Sequence, residues 1–226
     1  MKSVFVTGTD TGIGKTVFTC ALANLLKSSG VDVGVMKPFA TGISQKSKFH
    51  SEDVELLAKY SGVSDLESLI NPYFFPIPTS PYQAAKQLGK KIDIDLVSAS
   101  FENLQSTHDV VLVEGIGGIL TPILKDYFVA DLIKDLHLDT IVVSGTKMGS
   151  VNHALLTLGM CAKYGIRIVG TVINDVGIDG YDVQVLEDNL VSLSGIDVLC
   201  KIPHVQSNTI EDVSQVLQKY DILAKL

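Results

Sequence analysis

The residues with the most distinctive chemistry lie near the start of the chain, in residues 8–16, which read G-T-D-T-G-I-G-K-T. Glycines let successive backbone N–H groups turn toward phosphate oxygens, while Lys15 adds a mobile positive charge and the Thr16 hydroxyl can bind Mg²⁺. Five residues, one more than usual, separate the first and last glycines. An apolar run precedes the segment and a helical pattern follows it, so the helix N-terminus faces the same anion. We therefore predict a phosphate-binding loop, called the phosphate loop below, rather than an ordinary glycine-rich turn.

Three further polar residues, Lys37, Glu114 and Asn174, each follow an apolar run directly. Ligands of parallel sheets bind at the carboxyl ends of the strands, so these side chains should meet the phosphate loop in one crevice. Glu114 is either a Mg²⁺-binding acid or a solvated carboxylate. Lys37 is either an anion-binding cation or a solvated lysine, and Asn174 either hydrogen-bonds a base edge or caps the turn at Asp175. Together with the phosphate loop, the set predicts a phosphoryl-transfer site.

The elements that must position these residues alternate between short β-branched runs and helical patterns. Strands are predicted near residues 4–6, 31–36, 110–113, 141–143, 166–173 and 197–202. Helices are predicted near residues 15–30, 54–60, 93–107, 151–162, 182–191 and 211–220. Residues 71–81, rich in proline and aromatic residues, are expected to be irregular. Strands separated by helices predict an α/β fold: one domain over residues 1–226, like the P-loop NTPases, with a mostly parallel sheet and helices on both faces.

Composition narrows the class of protein. The 226 residues include 46% hydrophobic residues, enough for one sizeable core, and the net charge of −7 argues against nucleic acid as a general partner. No run approaches the roughly 20 apolar residues that span a bilayer. The apolar run at the start of the chain is too short to be the core of a signal peptide. The cysteines, Cys20, Cys161 and Cys200, are too far apart for a metal motif and suit reduced core thiols, and His108 is expected to be a surface histidine. We expect a cytoplasmic protein with no membrane partner.

Several segments, taken together with the phosphate loop, resemble the dethiobiotin synthetases. They are K-P-F-A-T-G (37–42), N-P-Y-F-F (71–75), P-T-S-P (78–81), V-E-G-I-G-G (113–118), G-S-V-N-H-A-L-L-T (149–157) and I-N-D (173–175). The resemblance runs from the first strand to Pro203 and is specific because the motifs occur jointly. It implies an ATP- and Mg²⁺-dependent ligase that carboxylates 7,8-diaminononanoate with CO₂ and closes a cyclic urea, giving dethiobiotin, ADP and phosphate.

The same resemblance assigns roles to individual residues. Lys37, Lys15 and Thr11 form the catalytic set, and Thr41, where the family often has serine, keeps a hydroxyl for the substrate. Gly12 stands where some members have glutamate, so a side-chain role there is lost. The implied nucleotide-binding set is Gly12, Ile13, Gly14, Lys15, Thr16, Asp53, Glu114, Gly115, Ile116, Gly117, Asn174, Asp175, Pro203, His204 and Val205. The implied Mg²⁺ ligands are Thr16, Asp53 and Glu114.

A further anion site is expected at Gly149, Ser150 and Asn152. These residues open a helix without any charged side chain, so the free N–H groups can bind an anion. In the dethiobiotin synthetases the corresponding loop reaches across a homodimer interface and holds the carboxylate tail of the partner's substrate. The resemblance therefore implies a homodimer with shared sites, whose ligands are the small molecules ATP, CO₂ and the diamine.

A different class of protein shares the same expected fold, namely the ParA- or MinD-like ATPase switches that recruit partners. Such switches carry an extra lysine five residues before the lysine of the phosphate loop. Asp10 occupies that position here. The acidic balance of the chain also argues against a DNA-associated switch. The ligase interpretation is therefore the favoured one.

Overall fold

Six parallel strands form the centre of the protein in its computed structural model, which describes residues 2–45, 48–177, 180–204 and 209–225. The strands in chain order are β1 (Val4–Gly8), β2 (Val33–Met36), β3 (Phe39–Thr41), β4 (Tyr73–Phe75), β5 (Val110–Glu114), β6 (Pro122–Leu124), β7 (Tyr127–Phe128), β8 (Asp139–Gly145), β9 (Ile168–Asn174) and β10 (Val198–Ile202). The central sheet has the order β10-β9-β8-β1-β5-β2. This order places the strand of the phosphate loop between β8 and β5.

The helices follow the strands as a parallel sheet requires. They are α1 (Lys15–Ser28), α2 (Glu52–Ser61), α3 (Glu67–Ile70), α4 (Pro81–Leu88), α5 (Ile94–Thr107), α6 (Val129–Asp135), α7 (Ser150–Tyr164), α8 (Val183–Ser194), α9 (Ile210–Lys219) and α10 (Ile222–Lys225). No described helix is long and apolar enough to cross a membrane.

Helices cover both faces of the sheet because its strands bury side chains on both sides. Helices α1, α2, α9 and α10 enclose a first core with side chains such as Phe18 and Leu57. Helices α4 to α7 enclose a second core with side chains such as Phe101 and Leu158. Residues 110–113 of β5 are all buried, as expected for a continuous apolar run in a two-sided sheet, and Glu114 at the end of the strand is buried as well. The predicted α/β fold with a mostly parallel sheet is confirmed.

The region after β2 is more regular than the sequence predicts. Strands β3 and β4 pair in parallel as a small second sheet, and the rings of Phe39, Tyr73 and Phe75 stack with centroids 5.4 and 6.0 Å apart. Helix α4 begins at Pro81, with Ser80 as its N-cap. The prediction of an irregular stretch over residues 71–81 is therefore wrong at both ends, although the segment between β4 and α4 is a loop.

His108 corrects the expectation of a surface histidine. Its ring nitrogens lie 2.9 Å from Asp32 and 3.1 Å from Asp65, and the side chain is only 11% exposed. Burial opposes a charge on the ring, but the hydrogen bonds to the two aspartates outweigh it and raise the pKa of His108. The cluster ties together the start of β2, the segment between α2 and α3, and the end of α5.

Candidate active site

The phosphate loop passes directly from β1 into α1. Two of its glycines adopt a left-handed backbone, Gly12 with φ 72° and Gly14 with φ 95°, a conformation that L side chains disfavour. Gly14 is the N-cap of α1 and brings no side-chain hydrogen bond to the helix, and the first turn contains no acidic residue. The first N–H groups of α1 are thus left to a bound anion.

Lys15 is folded back over the phosphate loop. Its Nζ donates a hydrogen bond to the backbone oxygen of Asp10 at 2.7 Å. Burial lowers the pKa of the Lys15 ammonium to about 8, because removing water disfavours the charge. A phosphate bound on the loop would restore a compensating negative charge beside this ammonium.

Asn174, at the end of β9, holds the phosphate loop from the other side. Its Nδ2 donates to the backbone oxygen of Ile13 at 2.8 Å. The space is tight, since a Cβ on Gly14 would lie 2.1 Å from that Nδ2. The structure therefore gives Asn174 a loop contact that neither of the two interpretations of the sequence included.

A buried ion cluster lies beside the loop, where the ends of β2 and β5 meet α2. Lys37 Nζ donates to Glu114 Oε1 at 2.6 Å and also to Asp53 Oδ2. Lys37 is 5% exposed and Glu114 1% exposed, so neither is the solvated residue considered above, whereas the Asp53 side chain is 42% exposed. Burial opposes the ammonium, yet the charges of Glu114 and Asp53 outweigh it and raise the pKa of Lys37. The same pairing, against burial, keeps the pKa of Asp53 below its ordinary value.

The oxygens around this cluster suit a hard divalent cation. Thr16 Oγ1 donates to Glu114 Oε1 at 2.8 Å, while the buried Glu114 Oε2 accepts no hydrogen bond from the described part of the chain. The described residues contain no group of three or more His, Cys, Asp or Glu side chains arranged for a metal. Mg²⁺ typically takes one or two carboxylates and completes its shell with water and substrate phosphates. The donor set Thr16, Asp53 and Glu114 fits that mode of binding.

A cavity of about 810 Å³ opens over the phosphate loop and the ion cluster. Twelve of the predicted residues line it: Thr11, Gly12, Gly14, Lys15, Thr16, Lys37, Thr41, Asp53, Glu114, Gly115, Ile116 and Gly117. Lys37 and Glu114 thus share one space with the phosphate loop, as the rule for parallel sheets predicts, whereas Asn174 at the end of β9 does not line this cavity.

Sequence reasoning missed part of the lining. The additional residues are Val17, Pro78, Thr79, Ser80, Thr121 and Pro122. The motif P-T-S-P contains a signal for the start of α4, because its last proline follows the N-cap Ser80 and occupies the first helical position. Thr121 has a positioning contact, since its Oγ1 accepts the Gly118 N–H at 2.9 Å and thereby closes the glycine turn after β5.

Several predicted residues lie outside this cavity. Asp175 and Pro203 line a second cavity of about 490 Å³ at the ends of β9 and β10, together with residues of α8 and α9. His204 is exposed, Ile13 is buried beneath the loop, and Val205 falls outside the described residues.

The predicted anion site at the start of α7 also lies apart from the cavity. Gly149, with φ 92°, is the N-cap of α7, and the helix start has no side-chain cap, no acidic residue in its first turn, and a buried Ser150. Neither these residues nor Asn152 lines the cavity of the same chain.

Comparison with solved structures identifies the fold. MinD from Aquifex aeolicus aligns over 100% of this chain and 96% of its own, with a TM-score of 0.61 and 15% identity. A ParA family ATPase from Chlorobium tepidum aligns over 99% and 92%, with a TM-score of 0.56 and 19% identity. At such identities the likeness concerns the fold alone, which is that of the P-loop NTPases.

Sequence comparison is more specific. A family model described as an AAA domain matches residues 2–211. The ATP-dependent dethiobiotin synthetase BioD of Nitrosopumilus maritimus is 49% identical over 219 residues, covering 97% of this chain and 96% of the relative. The enzyme of the same name from Bacillus licheniformis is 36% identical over 221 residues, covering 97% and 93%. By these matches and the phosphate loop at its centre, the chain belongs to the ATP-dependent dethiobiotin synthetases, ligases of biotin biosynthesis.

Proposed function

We propose that residues 1–226 act as one ligase domain that carboxylates 7,8-diaminononanoate with CO₂ and uses ATP to close the cyclic urea of dethiobiotin. The observation that carries the proposal is the buried Lys37, held between Glu114 and Asp53 in the cavity that also contains the phosphate loop. A second buried cation next to a nucleotide site suits the handling of another anion besides phosphate. A carbamate formed from one amine of the substrate is such an anion.

The chemistry requires two negative groups to be held together. The carbamate must approach the γ-phosphate although like charges repel, and the repulsion is strong in a partly buried site. Lys15 reaches the phosphates from the loop, and Lys37 faces the carbamate from the end of β2. We propose that Lys37 exchanges part of its pairing with Asp53 and Glu114 for the carbamate. Phosphoryl transfer then gives a carbamic-phosphoric anhydride, which the second amine attacks with loss of phosphate.

Residue positioning and electrostatics would supply most of the acceleration, without a covalent enzyme intermediate. Thr16, Asp53 and Glu114 would hold Mg²⁺, which neutralises charge on the nucleotide phosphates when bound. Thr11 and Thr41 line the cavity with hydroxyls that can hydrogen-bond the reacting groups. Asn174 and Asp175, with Pro203 and His204, are proposed to contact the adenine.

The decisive assay is phosphate release from ATP with and without the diamine and bicarbonate. The ligase proposal expects release to depend on both substrates and dethiobiotin to form in equal amount. Hydrolysis that ignores the diamine but responds to DNA or to lipid vesicles would overturn the ligase proposal in favour of a partner-recruiting switch.

The role of Lys37 has its own test. Lys37→Ala should lower turnover severely while ATP affinity, measured by calorimetry, stays within about twofold, because the lost charge faces the carbamate rather than the nucleotide. An equal loss of ATP affinity would assign Lys37 to the nucleotide instead.

We further propose a cytoplasmic homodimer with shared sites, in which Gly149, Ser150 and Asn152 of one chain bind the substrate's carboxylate in the partner's cavity. Two observations support this: the start of α7 lies apart from the cavity of its own chain, and Met148 and Leu156 are 73% and 61% exposed beside it. An exposed apolar surface of this kind suits an interface.

The shared-site proposal predicts complementation between two inactive variants. Lys37→Ala inactivates the cavity of its own chain. Gly149→Asp inactivates the start of α7 that the chain supplies to its partner's cavity. After subunit exchange, one of the two sites in each heterodimer inherits both intact halves, so about a quarter of all sites should recover under random pairing. No recovery despite verified exchange would show that each site is built within one chain.

A further inference from the structure

Asn71 lies directly behind Lys37, at the corner between α3 and β4. Its side-chain Nδ2 donates to the backbone oxygen of Lys37 at 2.6 Å and to the backbone oxygen of Tyr73 at 3.2 Å. The residue is 5% exposed and does not line the site cavity. Its carboxamide thus joins the end of β2 to the start of β4 from outside the reaction space.

The backbone of Lys37 is hydrogen-bonded by the turn between α3 and β4, because Lys37 lies beyond the last residue pair of the central sheet. The ladder between β2 and β5 ends with the pair Met36 and Val113. The Lys37 N–H donates to the backbone oxygen of Ile70 at 2.8 Å, and its carbonyl accepts from Asn71. Pro38 follows with no N–H of its own. Both backbone groups of Lys37 are therefore bound by residues 70–71.

The oxygen of the same carboxamide is in an unfavourable position. Asn71 Oδ1 is buried and accepts no hydrogen bond from the described residues. A buried carbonyl oxygen without a donor costs free energy, and native proteins keep few of them. A residue selected only for packing would avoid this cost, and such local conflicts concentrate at functional sites. The donor end of Asn71 is what compensates for it.

We propose that Asn71 is a positioning residue that fixes the backbone of Lys37 and thereby the direction of its ammonium in the ion cluster. The inference rests on the proposed function of Lys37. A lysine whose backbone can shift loses the geometry that places its Nζ between Glu114 and Asp53, and positioning errors of about 1 Å can cost roughly 100-fold in rate.

The test compares Asn71→Ala with the wild-type enzyme and with a matched control. In Asn71→Ala we expect kcat to fall roughly 10- to 100-fold while the Kd for ATP stays within about twofold. The control is Asn24→Ala, which removes from α1 a carboxamide that donates to Ser214 Oγ of α9 at 3.1 Å. Asn24→Ala should lower stability without lowering kcat. Should Asn71→Ala fail to fold, Asn71→Ser serves, since its short side chain cannot span both carbonyl groups.

Two further measurements separate positioning from a general structural role. In a Lys37→Ala background, Asn71→Ala should cost little additional kcat, because the two residues act as one unit. Hydrogen exchange, followed by mass spectrometry, should speed up in peptides containing Lys37 and Tyr73 and stay unchanged in the phosphate loop.

Unchanged kcat in Asn71→Ala, additive losses in the double variant, or unchanged exchange at Lys37 would each overturn the inference. Full turnover by Lys37→Ala alone would instead overturn the role of Lys37 and, with it, the catalytic consequence of the contact. The exchange experiment still reports separately whether Asn71 holds the Lys37 backbone, so the two failures are distinguishable.

Discussion

The two left-handed glycines of the phosphate loop give a matched pair for testing how the loop is held. Gly12 and Gly14 have φ values of 72° and 95°, so alanine is strained at either position. An added Cβ at Gly12 would meet nothing within 4 Å, whereas at Gly14 it would lie 2.1 Å from Asn174 Nδ2. The two substitutions therefore share a backbone cost and differ in one contact.

The magnitudes follow from these contacts. A left-handed alanine costs about 1–2 kcal/mol, which is the whole expected effect of Gly12→Ala on the free energy of unfolding. Gly14→Ala must also displace the Asn174 amide and break its bond to Ile13, adding roughly 1 kcal/mol. We therefore expect Gly14→Ala to be the more destabilising variant by about 1 kcal/mol, or a Tm lower by about 2–4 °C for a chain of this length.

Urea unfolding of both variants, repeated in an Asn174→Ala background, tests this reasoning. Once the amide is gone, the excess cost of Gly14→Ala should disappear, and the two glycine variants should be equally destabilised. ATP affinity should follow the same order, since the loop carbonyl of Ile13 is no longer held. Equal costs in the wild-type background, or an excess that persists without Asn174, would refute the role given to this contact.

Three other variants test separate features. His108→Gln should destabilise the fold more at about pH 6 than at about pH 9, because a raised histidine pKa contributes stability that is complete below its ordinary value and is lost as the pH rises through the raised one; urea unfolding at both pH values would show an equal loss if the ion pairs are unimportant. Thr121→Val should weaken ATP binding several-fold by removing the acceptor for the Gly118 N–H, whereas Thr121→Ser should not, as calorimetry can measure. Glu114→Gln should lower the apparent Mg²⁺ affinity in the turnover assay, and an unchanged Mg²⁺ titration would remove Glu114 from the metal site.

The sequence predicted the fold well where local patterns coincide with the tertiary environment. Residues 110–113 of β5 are a continuous apolar run, and the packed structure buries all four of them. The sequence also predicts the phosphate loop, because its glycines, lysine and threonine each have a defined role in binding phosphate or Mg²⁺. In both cases a few consecutive residues contain the whole signal.

Other elements could not be read from the sequence because their causes are not local. Strands β3 and β4 have three residues each, too few for a period, and they pair through backbone contacts across more than thirty residues with a stack of aromatic rings between them. The burial of His108 depends on Asp32 and Asp65, which are distant in the chain. The hydrogen bond from the Asn71 side chain to the Lys37 backbone likewise joins two segments whose spacing in the sequence does not predict a contact.

Strand order explains why Glu114, rather than another acid, becomes the centre of the site. The sequence identifies several strand ends with polar residues but does not say which strands are neighbours. In the sheet, β5 lies between β1, which leads into the phosphate loop, and β2, which leads to Lys37. Glu114 Oε1 therefore accepts from Thr16 on one side and from Lys37 on the other. Thr16, which would help to hold the nucleotide's metal, and Lys37, which would face the carbamate, thus donate to the same carboxylate oxygen. The two halves of the proposed reaction are therefore electrostatically coupled through Glu114 of β5.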